Sequence, residues 1–309
     1  MQALAGGDLI ADRSAMPRRA LVRTALAAFA AAFVAAGCGL GATTSPTPGA
    51  VRAASMQAVL IASQVVVGDQ RFPIGILDRN TPVNDARVRV VAYRDAPSDP
   101  LRSESDAPFR GDGLGGAGAY VARLKFGAAG RWIAQVTAQL PSGVVAVSSL
   151  PFSVSLKARV PAPGNAAPKS RNHTVKDVPD VSYIDSGVPP DDMHDLSIAD
   201  VVERHRAAIV VFATPALCRS AMCGPEVNAV KALEPAYRDR LTFIHVEIYE
   251  NFRPDPARMR LSPTVMEWRL ESEPWVFLID REGIIRAAFE GPTATDEIRE
   301  AVDRMLASG

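Results

Sequence analysis

Ile209-Val210-Val211-Phe212-Ala213-Thr214-Pro215-Ala216-Leu217-Cys218-Arg219-Ser220-Ala221-Met222-Cys223-Gly224-Pro225-Glu226 is the stretch on which the fold turns. Four apolar residues in a row, Ile209 to Phe212, suit a central strand covered on both faces. A short loop with two cysteines follows. Pro225, which has no N–H to lose, fits a first helical turn, with Gly224 before it and Glu226 facing the positive end of the helix dipole. Val227, Val230, Leu233 and Tyr237 then recur at helical spacing. A cysteine at the start of such a helix sits where thiolate is favoured over thiol.

Outward from this stretch, the pattern over residues 181–309 predicts alternating elements. A short helix capped by Ser197 comes first, carrying Ile198, Val201 and Val202 inward. Strand 209–212, helix 224–238, strand 241–248 and an irregular, partly helical stretch 254–270 follow. Trp275 to Ile279 and Ile284 to Phe289 form a hairpin across Asp280-Arg281-Glu282-Gly283. A last helix over 295–307 opens with Asp296 and Glu297 and buries Ile298, Val302 and Met305.

Three segments of this half resemble the thioredoxin fold. Phe212-Ala213-Thr214 leads into the cysteine loop, Cys223-Gly224-Pro225 matches the start of Cys-Gly-Pro-Cys, and Glu273-Pro274-Trp275-Val276-Phe277-Leu278-Ile279-Asp280 is similar to the segment carrying that family's cis-proline. The resemblance covers about 125 residues. It implies an α/β domain in which Pro274 is a cis residue shaping a substrate groove and the cysteines cycle between dithiol and disulfide. The departure from the family is Glu226, which stands where the second cysteine belongs. The partner lies upstream instead, as Cys218-x4-Cys223. Residues five apart on one helix point about 140° away from each other, so a disulfide requires residues 219–222 to loop ahead of the helix. Either cysteine is then a candidate attacking thiol, with Cys218 the more accessible.

Residues 57–158 read differently. Val88, Val90 and Ala92 share one face; Trp132, Ala134 and Val136 alternate with polar neighbours; Phe152, Val154 and Leu156 alternate with Ser153 and Ser155. Asn80-Thr81-Pro82, Gly111-Asp112-Gly113 and Pro141-Ser142-Gly143 supply turns. About seven short strands imply an all-β sandwich, with Trp132 in its core. Asn80 to Val88, and Gly118-Ala119-Tyr120 followed by Gly130-Arg131-Trp132, are similar to immunoglobulin-like modules of bacterial envelope proteins, so this half is expected to act as a spacer or partner-binding module.

At the N-terminus, Arg18, Arg19 and Arg23 precede an apolar run, Ala25 to Ala36, ending in Ala35-Ala36-Gly37-Cys38. A basic segment, a short apolar core and small residues before the cut describe a signal peptide over 1–37. Residues 1–15 lack that character, and Met16 makes the neater start. Ala-Ala-Gly-Cys resembles a bacterial lipobox, implying lipid on Cys38, a membrane-anchored chain and a location in the bacterial cell envelope, where a disulfide persists. Residues 38–56 form a tether rich in Ala, Thr, Pro and Gly. Residues 159–180, with Pro161-Ala162-Pro163-Gly164, form a linker between the two domains.

The remaining totals exclude more than they assign. With 34 basic and 34 acidic residues the chain has no net charge and no footprint for nucleic acid. Arg outnumbers Lys and Ala abounds, the bias of a GC-rich bacterial genome. The three cysteines, Cys38, Cys218 and Cys223, leave one pair for redox work. The four histidines read as structural or solvated: His173 in the linker, His194 before the first helix, His205 at its end and His245 within a strand. No cofactor is implied, and with no His-x3-His or Cys-x2-Cys spacing no zinc site is expected. Thiol–disulfide exchange with envelope proteins is the leading function; a structural disulfide in a binding module, and copper handling by two thiolates and an imidazole, are the alternatives.

Overall fold

The computed structural model describes residues 56–308; the expected signal peptide, the lipid on Cys38 and the tether up to residue 55 lie outside the described residues. Ten strands come first: β1 Met56–Leu60, β2 Val65–Val66, β3 Gly68–Asp78, β4 Thr81–Pro82, β5 Arg87–Arg94, β6 Arg102–Ala107, β7 Phe109–Arg110, β8 Ala119–Phe126, β9 Gly130–Gln139 and β10 Val145–Ser155. They make two sheets, one ordered β1-β3-β8-β7 with β4 beside β3, the other β2-β10-β9-β5-β6. Phe72, Ile74 and Leu124 from the first meet Val90, Trp132 and Val136 from the second in a shared core. The sheets therefore pack as a sandwich, because period-two alternation gives each one apolar face to bury. Trp132 stands edge-on to Phe126 with ring centroids 5.0 Å apart, and its indole N–H donates to Ala128 O at 3.0 Å. Leu156, expected inward, is 78% exposed because β10 stops at Ser155 and the alternation stops with it.

The second half is an α/β unit with the order of helices and strands that its sequence pattern predicts. Its helices are α1 Ile198–Glu203, α2 Cys223–Lys231, α3 Glu234–Tyr237, α4 Pro263–Glu267 and α5 Thr295–Ala307. Its strands are β11 Ala208–Ala213, β12 Thr242–Glu247, the short pair β13 Tyr249–Glu250 and β14 Arg260–Leu261, then β15 Trp275–Ile279 and β16 Ile285–Glu290. The main sheet runs β12-β11-β15-β16; β11 is parallel to β12 and antiparallel to β15, which is antiparallel to β16. All six residues of β11 are buried. Ile209 and Val211 pack with α2 and α5 on one face, while Val210 and Phe212 pack with α1 and Trp268 on the other. The expected helix 224–238 is broken in two, since Pro235 lacks the N–H that would bond back to Lys231.

The proline-rich segment expected as a linker is packed. Ile285 N–H donates to Asn165 O at 2.9 Å, Gly164 N–H to Ile285 O at 2.8 Å and Ala167 N–H to Gly283 O at 2.8 Å, so this segment runs along the outer side of β16. Val160 and Ala167 are buried in the adjoining core.

The sandwich is bolted to α5. Arg71, on β3, donates from Nε and Nη2 to the two oxygens of Glu297, each at 3.0 Å, and also to the carbonyls of Glu290 and Pro292. Arg123 adds a third bond to Glu297, and Arg110 pairs with Asp296 at 2.7 Å. The loop tip presses Leu114 against Ala229 and Ala294. Gly113 in that tip has φ +76° and lies so close to the Thr295 side chain that a Cβ would collide with it. Arg71 and Glu297 side chains are 8% and 1% exposed, so removing Arg71 strips the buried Glu297 of two of its three charge-assisted bonds and leaves Arg123 alone to hold it. Arg71→Ala is expected to cost about 3–5 kcal/mol in urea unfolding followed by tryptophan fluorescence. Arg71→Lys recovers only part of the loss, because an ammonium does not supply the forked donors.

Candidate functional site

Strand β11 ends at Ala213 and delivers the chain to the cysteine loop. Leu217 N–H bonds to Thr214 O and Ala221 N–H to Cys218 O, so residues 214–221 turn instead of continuing as helix. Ala221 sits in the left-handed region at φ 57°, reversing the chain so that Cys223, the first residue of α2, returns to Cys218. The two cysteines are joined as a disulfide, with Cα atoms 6.0 Å apart. Cys223 is fully buried, whereas Cys218 is partly exposed.

The start of α2 has no side-chain cap, so its first N–H groups seek other acceptors. Cys223 N–H points at Cys218 Sγ, 3.4 Å away, and Ser220 Oγ lies 3.3 Å from the same sulfur. The positive end of the helix is therefore aimed at Cys218. Opposite the loop, the Glu273–Pro274 peptide bond is cis. Glu273 offers a carboxylate oxygen within 4.8 Å of both sulfurs, and among the described residues the group that joins them is this carboxylate, not a histidine. Partial burial pushes the Glu273 carboxyl upward; Arg219 opposes that and Glu247 adds to it.

A groove of about 480 Å³ runs beside the loop. Ile74 and Tyr120 of the sandwich form one wall, Ser220 and Met222 of the loop another, and Glu273 and Pro274 a third. The sandwich thus supplies a wall of the groove, which its sequence did not reveal.

Glu226 lies in the first turn of α2 as expected, and its side chain is fully buried. Its Oε2 accepts Thr293 N–H at 2.9 Å, and its Oε1 has no partner among the described residues. Burial pushes this carboxyl up to about 8, against the opposing pull of the Thr293 N–H and Arg71.

His194 and His245 take the structural alternative, the latter packed within β12: both are buried, with ring centroids 5.0 Å apart, beside Asp185 and Asp191. Burial opposes protonation of His194, yet the two carboxylates outweigh it and raise the imidazole to about 9. His205 and His173 stay exposed. The only trace of this cluster in sequence is the run Asp185 to His194, dense in Asp and Pro; nothing in it points to His245, some fifty positions later.

No protein-family profile matches the chain, and no curated protein matches it in sequence. Among solved structures, one similar chain is a thiol:disulfide interchange protein, a thioredoxin-family protein from Chlorobium tepidum TLS. It is 18% identical, covers 48% of this chain and 99% of its own length, and has a TM-score of 0.28.

The Glu226 carboxyl has a consequence for stability. Below about pH 4.5 both folded and unfolded chains hold its proton; between there and about 8 only the folded chain does. Its contribution is therefore fully present at low pH and lost as pH rises through that window. Glu226→Gln keeps an acceptor for Thr293 and carries no charge. The gap in Tm between this variant and the parent is expected to widen in the variant's favour from pH 4.5 to 8, by about 2–4 °C for each kcal/mol relieved, as followed by circular dichroism melts.

Proposed function

We propose that this protein is a thiol–disulfide exchange protein of the bacterial cell envelope, held to the membrane by lipid on Cys38, with an immunoglobulin-like sandwich between anchor and active site. The observation that carries the reading is the pairing of a partly exposed Cys218 sulfur with a buried Cys223 whose own N–H points at it. In that arrangement one sulfur is open to attack and the other is a sheltered leaving group.

In the oxidised chain, a substrate thiolate attacks Cys218 Sγ. The Cys218–Cys223 bond breaks, its electron pair leaves on Cys223 Sγ, and that sulfur takes up a proton. Cys218 is then in a mixed disulfide with the substrate. A second substrate thiolate attacks the substrate's own sulfur, and Cys218 departs as a thiolate facing the start of α2, where the helix dipole and Ser220 Oγ receive it. Two electrons pass from a dithiol substrate to the pair, and a second thiol–disulfide protein takes them away. The apolar wall of the groove suits an extended peptide segment around the reacting cysteine, with Pro274 along one side.

The full chain, solubilised in detergent and titrated against glutathione with thiols read by alkylation and mass shift, tests this. A midpoint between about −270 and −120 mV is expected; a bond that survives below about −300 mV would mark a structural disulfide in a binding module instead. In the reduced chain Cys218 is expected to alkylate at least ~10-fold faster than Cys223. Equal rates, or a faster Cys223, would remove Cys218 as the attacking sulfur.

A further inference from the structure

Asp185 and Asp191 come from the segment ahead of α1, His194 follows three residues after Asp191, and His245 projects from the middle of β12. The four donor atoms lie within 4.8 Å of one another, and the side chains of all four residues are at least nine-tenths buried. His194 Nε2 is 3.3 Å from Asp191 Oδ1 and 3.4 Å from Asp185 Oδ2. His245 Nδ1 is 2.7 Å from Asp191 Oδ2 and 3.9 Å from Asp185 Oδ2.

Hydrogen bonding satisfies part of this set, since the 2.7 Å contact of His245 Nδ1 with Asp191 Oδ2 has the length of a charge-assisted bond. A single N–H at His194 Nε2 faces two carboxylate oxygens, both beyond the ~2.7–2.9 Å of a charge-assisted bond. His245 Nε2 is 3.2 Å from Ala213 O, and a carbonyl accepts only, so Nε2 carries a hydrogen. A neutral His245 would then turn a bare Nδ1 lone pair toward Asp191. Two imidazolium rings at 5.0 Å would repel each other. One divalent ion would accept a lone pair from each neutral ring and take the place of both protons. Tetrahedral ligands at ~2.0–2.1 Å from Zn²⁺ stand ~3.3 Å apart, the spacing of His194 Nε2 from Asp191 Oδ1 and Asp185 Oδ2; the 2.7 Å contact of His245 is to the other Asp191 oxygen, Oδ2, and lies outside that set. Two carboxylates and two neutral imidazoles balance the ion's charge.

The outer shell is in place as well. Ala213 O fixes the His245 tautomer, and the backbone N–H groups of Gly187 and Asp191 donate to Asp185 while that of Met193 donates to Asp191. Nitrogen and oxygen donors without sulfur suit zinc better than Cu(I), and the imidazoles argue against Mg²⁺ or Ca²⁺.

We infer that Asp185, Asp191, His194 and His245 form a closed, four-coordinate Zn²⁺ site separate from the cysteine pair. Its role is structural. Ser186, next to Asp185, accepts Ala216 N–H at 3.1 Å and lies 3.4 Å from Thr214 Oγ1, at the foot of the cysteine loop. An ion at Asp185 therefore ties that foot to β12.

The full chain, purified without a metal-affinity tag and dialysed against Zn²⁺ and then metal-free buffer, is assayed by plasma mass spectrometry. About one zinc per chain is expected in the parent and in Cys218→Ser/Cys223→Ser, and none in His194→Gln/His245→Gln. A parent without zinc, a histidine variant that keeps it, or a cysteine variant that loses it overturns the site. Should the histidine variant fail to fold, the parent decides alone. Loaded with Co²⁺, it shows tetrahedral d–d bands without thiolate-to-cobalt charge transfer, and a chelator lowers its Tm. Sulfur charge transfer, octahedral bands or an unmoved Tm refutes the assignment.

Discussion

The buried contact between Arg71 and Glu297 is the constraint on which the rest of the architecture leans. A guanidinium that reaches a carboxylate and two backbone carbonyls at once has little freedom to slide. It fixes β3 of the sandwich against the start of α5, and the loop tip at Gly113 and Leu114 then seats between α2 and α5. The groove exists only because of this docking, since one wall comes from each half. A pair so deeply placed adds specificity of placement more than net stability, because the desolvation of both ions offsets much of their attraction.

Around the disulfide, charge is arranged unevenly. The start of α2 faces Cys218, Glu273 stands within reach of both sulfurs, and Glu226 lies sealed in the interior behind them. Glu226 follows Cys223-Gly224-Pro225 as a buried titratable group, and the sulfur partner of Cys223 comes from the turn ahead of α2. The turn is possible because Ala221 accepts a left-handed backbone.

Much of the second half was legible because its signals are periodic. Ile298, Val302 and Met305 mark α5, and the apolar run Trp275 to Ile279 marks β15, each buried in the structure. Elements held by local chemistry were legible too, as with Ser197, whose capping box with Asp200 opens α1. What stayed hidden is long-range. Proline and glycine in 161–164 read as slack, yet a proline without an N–H still lies comfortably beside a sheet edge while Gly164 and Asn165 make the bonds. His245 sits in a strand whose neighbours are apolar, and no local pattern tells that Asp185 and Asp191 will be brought to it. Glu226 looked like an ordinary first-turn acid, because burial is a property of the tertiary fold.

The segment along β16 also bears on how the protein behaves in a crowd. An open strand edge is a row of unpaired N–H and C=O groups, ready to pair with another chain. Here Gly164, Asn165 and Ala166 occupy part of that row from within the same molecule. The chain carries its own shield against edge-to-edge aggregation, made from residues that composition alone would assign to a loose connector.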